Sequence, residues 1–203
     1  MKRLLLTGYD EAMSPIGDLT APLMCEYAER HHLDFECSRD YPPGRDPMWR
    51  KVALVEHALT EYDLVLWLDA DTIVTNAEKS WAGDANGVHI SRDWGADAGA
   101  YDVSTCNFVA FQDSLPLWRL ILSHESSREF APFHEQGAYR DFFAEHQWVR
   151  DMTHVHPRRH FNAVPKEIPG VVEPWEPDDW LCHITNLPTD ERVCLFHKMM
   201  EKI

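Results

Sequence analysis

Two carboxylates, Asp69 and Asp71, follow directly after the most apolar run of the chain, Leu-Val-Leu-Trp-Leu at 64–68. Two acids one residue apart beyond a buried strand repel each other unless a positive charge lies between them. Mg²⁺ and Mn²⁺ prefer oxygen ligands, and Mn²⁺ also accepts imidazole. Such an ion can bridge the two phosphates of a nucleotide-sugar and stabilise charge on a departing diphosphate. The pair therefore predicts a divalent metal site.

Two other interpretations of the pair remain open at this point. A D-x-D sequence is common in solvated turns, although the apolar runs before and after it favour a function. Phosphatases of the haloacid-dehalogenase type use a similar sequence, with the first Asp as a nucleophile and Mg²⁺ as the ion. Here Ile73 stands at the fifth position and the motif follows the third predicted strand, which departs from that class, but a late acid pair exists at Asp178-Asp179.

The first 75 residues alternate between strand and helix patterns, and this alternation positions the acid pair. Apolar runs predict strands at 3–8, 33–38 and 62–68, and helical spacing predicts helices at 18–31, with a start near Thr20 and Pro22, and at 48–61. This order predicts a parallel sheet with right-handed crossovers. Ligands of such sheets bind beyond the carboxyl ends of the strands, where Asp69 and Asp71 fall.

The second half of the chain is less regular. It predicts strands at 72–75, 87–91, 105–112, 151–156 and 181–184, helices at 115–125, 136–146 and from about 190, and Pro-rich loops at 41–47 and 164–179. His154, His156 and His160 are interpreted as surface polar residues. We expect one domain over 1–203, with a nucleotide-binding half at 1–75 and an acceptor and catalytic half at 76–203.

Composition narrows the classes of partner. The net charge is −15, from 19 basic and 34 acidic residues, which argues against nucleic-acid binding and leaves a phosphate ligand in need of a cation. Five scattered Cys without a CxxC predict free thiols in a reducing compartment. The apolar start of the chain is too short for a signal peptide or a membrane span, so we expect a cytoplasmic protein without a membrane anchor. A homo-oligomer is compatible with the length, since a partner subunit could complete an acceptor site.

Residues 49–187 resemble the GT-A glycosyltransferase family of galactosyl-, xylosyl- and mannosyltransferases that build α-linked branches. The first matching block joins Trp49-Arg50-Lys51 to the segment 62–71, which ends in Trp-Leu-Asp-Ala-Asp. Three weaker blocks follow in the family's order: 133–139 (Phe-His-Glu-Gln-Gly-Ala-Tyr), 161–165 (Phe-Asn-Ala-Val-Pro) and 179–186 (Asp-Trp-Leu-Cys-His-Ile-Thr-Asn).

The resemblance implies an α/β fold of the GT-A type, a Rossmann-like mixed sheet flanked by helices. It implies transfer of a sugar from a nucleotide-diphosphate sugar to a hydroxyl acceptor, with retention of anomeric configuration and with Mn²⁺ or Mg²⁺ as cofactor. A non-catalytic domain that binds nucleotide-sugars is the remaining alternative. The resemblance to the family also gives roles to individual residues. It implies Asp69, Asp71 and His183 as metal ligands, Glu135 and Gln136 at the reaction centre, and Thr7, Lys51, Ala70, Asn107 and Asn186 around the donor.

Several of these residues also have simpler interpretations. His183 could be a core histidine, Lys51 could lie on the solvated face of a helix, and Glu135 could favour a helix dipole alone. The family has Gly where this chain has Asn186, and its Asn-x-Gly stretch is replaced by 104–107 (Ser-Thr-Cys-Asn). Trp94 is a further candidate for contact with a sugar.

Overall fold

A computed structural model describes residues 1–39, 47–81, 83, 86–93, 99, 102–124 and 133–203. Trp94 and residues 41–46 of the predicted loop lie outside the described residues. Within the described residues the strands are β1 (Arg3–Gly8), β2 (Asp34–Ser38), β3 (Leu64–Leu68), β4 (Thr72–Val74), β5 (Val88–Arg92), β6 (Val103–Phe111), β7 (Thr153–His156) and β8 (Leu181–His183). The helices over the same stretches are α1 (Ser14–Arg30), α2 (Pro47–Ala58), α3 (Leu115–Ser123), α4 (His134–Glu145), α5 (Gln147–Met152), α6 (Arg158–Asn162) and α7 (Thr189–Met200).

The described strands form a six-stranded mixed sheet in the order β2-β1-β3-β6-β5-β7, and β4 pairs with β8 in a separate ribbon. Strands β1, β2 and β3 run parallel, as the sequence predicts, whereas β6 lies antiparallel to both β3 and β5. The predicted α/β mixed sheet flanked by helices is confirmed.

Strand β3 is buried on both faces because helices cover each side of the sheet. Val65 and Trp67 pack on the side of α2, α3 and α4. Leu64, Leu66 and Leu68 pack on the other side with residues of α1, α6 and β8. This double burial accounts for the continuous apolar run in the sequence. The run ends at Asp69, which therefore emerges at the edge of the sheet.

The predicted start of the first helix is wrong. Helix α1 begins at Ser14 rather than near Thr20, and Pro22 lies inside it. The Asp10 carboxylate accepts a hydrogen bond from the Met13 amide at 3.0 Å, just before the helix, and a proline already stands in the first turn. Burial of Ile16 and Thr20 against the sheet outweighs the hydrogen bond that Pro22 cannot donate.

Two short helices were not predicted. Helices α5 and α6 contain six and five residues, too few to show a helical period in the sequence. The start predicted for the strand at 151–156 is accordingly wrong, because α5 continues to Met152 and β7 begins at Thr153. In the described part of the chain, no helix has the length and apolar character needed to cross a bilayer.

The interpretation of the three histidines as surface polar residues agrees with the exposure of His160, whereas His154 and His156 are half-buried. His89 on β5 stacks on His154, with ring centroids 4.3 Å apart, and its Nδ1 lies 3.1 Å from Nε2 of His156. His156 stacks in turn on His160 at 4.5 Å, and Trp81 covers His89 at 4.2 Å. These side chains form a ring-stacked cluster, which we call the histidine cluster, on the face of the sheet that α6 covers.

The histidine cluster predicts that acid destabilises the fold. Burial, with His154 nearby, lowers the pKa of His156, and burial with His156 and Lys79 nearby lowers the pKa of His160 to about 4. A histidine of the unfolded chain titrates near about 6.5. The free energy of unfolding should therefore be highest above that pH and should fall as the pH decreases toward about 4.

Urea unfolding at about pH 7.5 and about pH 5.5 measures this loss of stability. The His160→Gln variant should lose less stability than the wild type between the two pH values. His197→Gln, at an exposed position of α7, is the matched control and should behave as the wild type. An equal loss in all three proteins would contradict the assignment of acid sensitivity to the histidine cluster.

Candidate active site

A tight turn at the carboxyl end of β3 carries the acid pair. The Asp69 amide donates to the Cys106 carbonyl at 3.1 Å and to Oδ1 of Asn107 at 3.0 Å, and the Thr72 amide closes the turn on the Asp69 carbonyl at 2.9 Å. Oδ1 of Asn107 also accepts the Thr72 hydroxyl at 2.9 Å. Its amide nitrogen donates to the Phe161 carbonyl at 2.9 Å. Asn107 thus ties the turn to β6 and α6.

Strand β8 brings His183 to this turn. It pairs antiparallel with β4, with His183 opposite Thr72, and the Ile184 amide donates to the Asp71 carbonyl at 2.9 Å. Nε2 of His183 lies 3.2 Å from Oδ1 of Asp71, and Nδ1 lies 2.8 Å from Oδ1 of Asn162. Because the amide oxygen only accepts, Nδ1 carries a ring proton, and Nε2 is the ring nitrogen that faces the acid pair.

Cys106, which was not predicted from the sequence, lies beside the predicted residues Asp69 and His183. Asp69, Cys106 and His183 each offer one ligand atom, and these atoms all lie within 4.8 Å of one another. The position of Cys106 follows from the pairing of the antiparallel strands β3 and β6, in which Leu68 lies opposite Asn107. The preceding residue of β6 therefore lies opposite Asp69. That pairing cannot be read from the sequence because residues 69–102 separate the two strands.

Lys51 on α2 lies at the centre of a buried ionic group rather than on a solvated helix face. Its ammonium lies 3.3 Å from Oδ1 of Asp69, 2.9 Å from Oε1 of Glu135 and 2.9 Å from the Thr105 carbonyl. The lysine is 4% exposed. Burial alone would lower the pKa of Lys51, but Asp69 and Glu135 raise it overall, so the ammonium stays charged.

The two acids of the motif differ in their electrostatic surroundings. Burial raises the pKa of Asp69, Lys51 opposes that rise, and Asp71 adds to it. Burial would also raise the pKa of Asp71, but His183 and Arg192 hold it below its ordinary value. A divalent cation between the two acids would oppose the repulsion that Asp71 adds at Asp69.

Arg192 is a second residue that the sequence did not indicate. It lies on α7, and its Nη1 donates to Oδ2 of Asp71 at 2.9 Å while its Nε donates to the Leu187 carbonyl at 2.7 Å. No motif marks it, because it contacts Asp71 only through the packing of the terminal helix beside β4 and β8.

Helix α4 places Glu135 and Gln136 beside Thr105 on β6. Oε1 of Gln136 accepts the Thr105 amide at 3.0 Å, and Oε1 of Glu135 accepts the Thr105 hydroxyl at 3.1 Å. Glu135 is 3% exposed and reaches Asp69 only through Lys51, whereas Gln136 is half-buried. The structure thus brings both predicted residues to the same side of the acid pair.

Three other residues predicted to lie around the nucleotide-sugar donor are Ala70, Thr7 and Asn186. The Ala70 carbonyl accepts the Thr20 hydroxyl at 2.5 Å. Thr7 is fully buried at the end of β1, and its hydroxyl has no hydrogen-bond partner among the described residues. Asn186 is exposed and has φ 54°, a backbone conformation that glycine and asparagine adopt most readily. The replacement of the family's Gly by Asn186 therefore preserves the local backbone.

Comparisons with known proteins agree with this geometry. Residues 24–83 match the model of the galactosyl transferase GMA12/MNN10 family. A crystal structure of a glycosyltransferase involved in the glycosylation of the major capsid of PBCV-1 superposes with a TM-score of 0.76 at 20% identity, and the match covers 98% of this chain and all of that one. The chain has the GT-A fold of these enzymes. The predicted resemblance to the glycosyltransferases, and with it the predicted enzyme class, is supported by the family match over residues 24–83.

Two further solved structures share the fold of this chain. Drosophila beta1,4-galactosyltransferase 7, crystallised with manganese, UDP-Gal and xylobiose, has a TM-score of 0.53 at 12% identity, with 92% of this chain and 72% of that one covered. GlyE of Streptococcus pneumoniae has a TM-score of 0.53 at 14% identity. That match covers 78% of this chain and 46% of GlyE. A search of curated protein sequences found no significant match.

The phosphatase alternative has no structural support. Its late acid pair would have to meet Asp69, but Asp178 is exposed and Asp179 is bound by Nε of Arg159 at 2.9 Å. Oδ2 of Asp179 also accepts the Glu176 amide at 2.8 Å. Within the described residues the late pair therefore belongs to a separate ion-pair group.

Proposed function

We propose that this glycosyltransferase moves a sugar from a nucleotide-diphosphate donor to a hydroxyl acceptor in the presence of a divalent cation, Mn²⁺ first and Mg²⁺ second. The proposal is supported above all by the position of His183, whose Nε2 lies 3.2 Å from Oδ1 of Asp71 in the acid pair. Two carboxylates and one neutral imidazole suit Mn²⁺. Asp69, Asp71 and His183 would hold the ion, which would supply charge stabilisation to the leaving diphosphate.

Asp69 is held in place by neighbours that do not need to touch the donor. Lys51 donates to its Oδ1, and the Trp67 indole donates to the same oxygen at 2.6 Å. Because Lys51 is also bound to Glu135 and Thr105, its ammonium has an acceptor for each of its three protons. We place Lys51 and Glu135 in positioning roles, acting on the donor through Asp69.

Gln136 is the residue that we place against the reacting sugar. Its Oε1 accepts a hydrogen bond from the Thr105 amide, and its Nε2 amide makes no hydrogen bond within the described residues. An amide N–H in that position can donate to a sugar hydroxyl and orient the anomeric carbon. Retention of anomeric configuration is proposed on the family resemblance, with the leaving diphosphate assisting attack from the same face.

Acceptor binding is proposed for the second half, 76–203, and donor binding for the first, 1–75. A cleft of about 840 Å³ in the second half has a lining of aromatic and ionic side chains, among them Trp81, Arg159 and Glu173. Aromatic faces with charged neighbours suit saccharide hydroxyls and ring faces. The cleft adjoins the metal ligands through α6, on which His160 lines the cleft and Asn162 holds His183. All five Cys are unpaired, which supports a reducing, cytoplasmic setting.

A panel of UDP- and GDP-sugars tests the function directly. Release of nucleoside diphosphate should require Mn²⁺ and should stop when the metal is chelated, and NMR of the product should show the donor's own anomeric configuration. Absence of turnover and of binding with every donor in Mn²⁺ would contradict the proposal. Release of phosphate from simple monoesters that depended on Asp69 would restore the phosphatase alternative.

Asn162 predicts a loss of metal affinity without a change in any metal ligand. In Asn162→Leu the acceptor for Nδ1 of His183 disappears, so the imidazole loses its fixed orientation. Loss of such a partner typically costs about 10–100-fold in metal affinity. Titration of Mn²⁺ by electron paramagnetic resonance measures it.

Asn162→Asp is the matched control, because a carboxylate keeps an acceptor for the imidazole N–H. Its Mn²⁺ affinity should stay within about tenfold of the wild type. Equal losses in Asn162→Leu and Asn162→Asp would argue that Asn162 acts by packing alone. Unchanged affinity in Asn162→Leu would argue against His183 as a ligand.

A further inference from the structure

Two overlapping sets of metal ligands exist in this site. One is the oxygen and nitrogen set of Asp69, Asp71 and His183. The other contains Asp69, Cys106 and His183, whose ligand atoms already lie within 4.8 Å of one another. Asp71 is not part of this second set; its Oδ2 is bound by Nη1 of Arg192 at 2.9 Å. The second set therefore adds a sulfur atom to an oxygen and a nitrogen.

The backbone and neighbouring side chains fix each member of the second set. The Cys106 carbonyl accepts the Asp69 amide at 3.1 Å, which holds the two residues side by side across β6 and the end of β3. Oδ1 of Asp69 is bound by Lys51 and Trp67, and the orientation of His183 is set by Asn162. Cys106 and Asp69 are half-buried and His183 is buried, so the three atoms meet in a partly dehydrated pocket.

We propose that Asp69, Cys106 and His183 form a site for a thiophilic divalent cation, Zn²⁺ in particular, which excludes Mn²⁺ from the same place. Thiolate, imidazole and carboxylate are each ligands of Zn²⁺, and three protein ligands leave its fourth position open, whereas Mn²⁺ prefers oxygen ligands to sulfur. On binding, the Cys106 thiol loses its proton to solvent and its sulfur bonds to the metal, with no change of oxidation state.

The two ions compete because both sets use Asp69 and His183. Zn²⁺ should therefore inhibit an enzyme that depends on Mn²⁺. The ligand assignment itself does not rest on sugar transfer, since it concerns only which atoms bind the ion. Its test is accordingly a spectrum of the bound metal, which can succeed or fail whether or not the chain transfers a sugar.

Cobalt is the probe, because Co²⁺ takes zinc sites and reports a thiolate ligand by an intense sulfur-to-cobalt charge-transfer band in the near ultraviolet. The full chain, freed of metal by a chelator, is titrated with Co²⁺ and then with Zn²⁺. The wild type should develop the band, and Zn²⁺ should remove it. In Cys106→Ser the band should be absent, and the affinity for Zn²⁺ should fall by at least about 10–100-fold, the usual cost of losing even an outer partner.

Cys194→Ser is the matched control, since this thiol is exposed on α7. It should keep both the band and the affinity. Thermal unfolding of each variant checks that the fold is intact. A wild type that binds Co²⁺ without the band, or a band that persists in Cys106→Ser, would overturn the proposal. Failure of the Mn²⁺-dependent transfer assay with the cobalt band present would instead contradict the proposed function alone.

Discussion

The Lys51→Met variant should be less stable than the wild type by about 3–5 kcal/mol, the usual cost of removing one member of a buried ionic group. Asp69 and Glu135 would then face each other without the ammonium that separates them. The side chains of Lys51 and Glu135 are 6% and 5% exposed, so water cannot replace that charge. Urea unfolding followed by tryptophan fluorescence measures the difference in free energy.

A second variant separates charge from packing. In Lys51→Met combined with Glu135→Gln, one of the two uncompensated carboxylates is removed, so part of the lost stability should return. Lys198→Met, at an exposed position of α7, is the control and should stay within about 0.5 kcal/mol of the wild type. A loss below about 1 kcal/mol in Lys51→Met would contradict the buried ionic group.

The Asp71→Asn variant should transfer sugar at least about 100-fold more slowly than the wild type, which corresponds to about 2.7 kcal/mol in the barrier. The substitution keeps the size of the side chain but removes the charge that faces Nε2 of His183 and Nη1 of Arg192. Steady-state release of the nucleoside diphosphate at saturating Mn²⁺ measures the change.

Asp178→Asn is the matched control for charge, because it removes an exposed carboxylate from a region without contact to the acid pair. It should retain the wild-type rate. If Asp71→Asn retained more than about a tenth of the wild-type rate, the acid pair would not hold the metal in the proposed way.

The sequence predicts the nucleotide-binding half of the fold well because its strands are long apolar runs and its helices are periodic. Strand β1 was predicted with its observed bounds, and β3 was predicted, as 62–68, from its apolar run. The position of the acid pair followed from β3 alone, since a buried strand that stops at a carboxylate places that carboxylate at the sheet edge.

The rest of the site depends on contacts between distant parts of the chain. Arg192 reaches Asp71 across 121 positions, and Asn162 reaches His183 from a helix of five residues. Cys106 comes beside Asp69 through an antiparallel pairing that only the folded sheet defines. Asn162 lies in the matching block 161–165 and Cys106 in the stretch 104–107, but neither the blocks nor a periodic pattern gave a role to any of the three residues.

Binding of UDP and GDP, measured by titration calorimetry with and without Mn²⁺, tests the central claim most directly. We predict that one of the two nucleotides binds the wild type and Asp178→Asn only when Mn²⁺ is present, and that Asp71→Asn binds neither. Binding that is equally tight without Mn²⁺, or that survives in Asp71→Asn, would contradict a metal-bridged donor site at Asp69, Asp71 and His183.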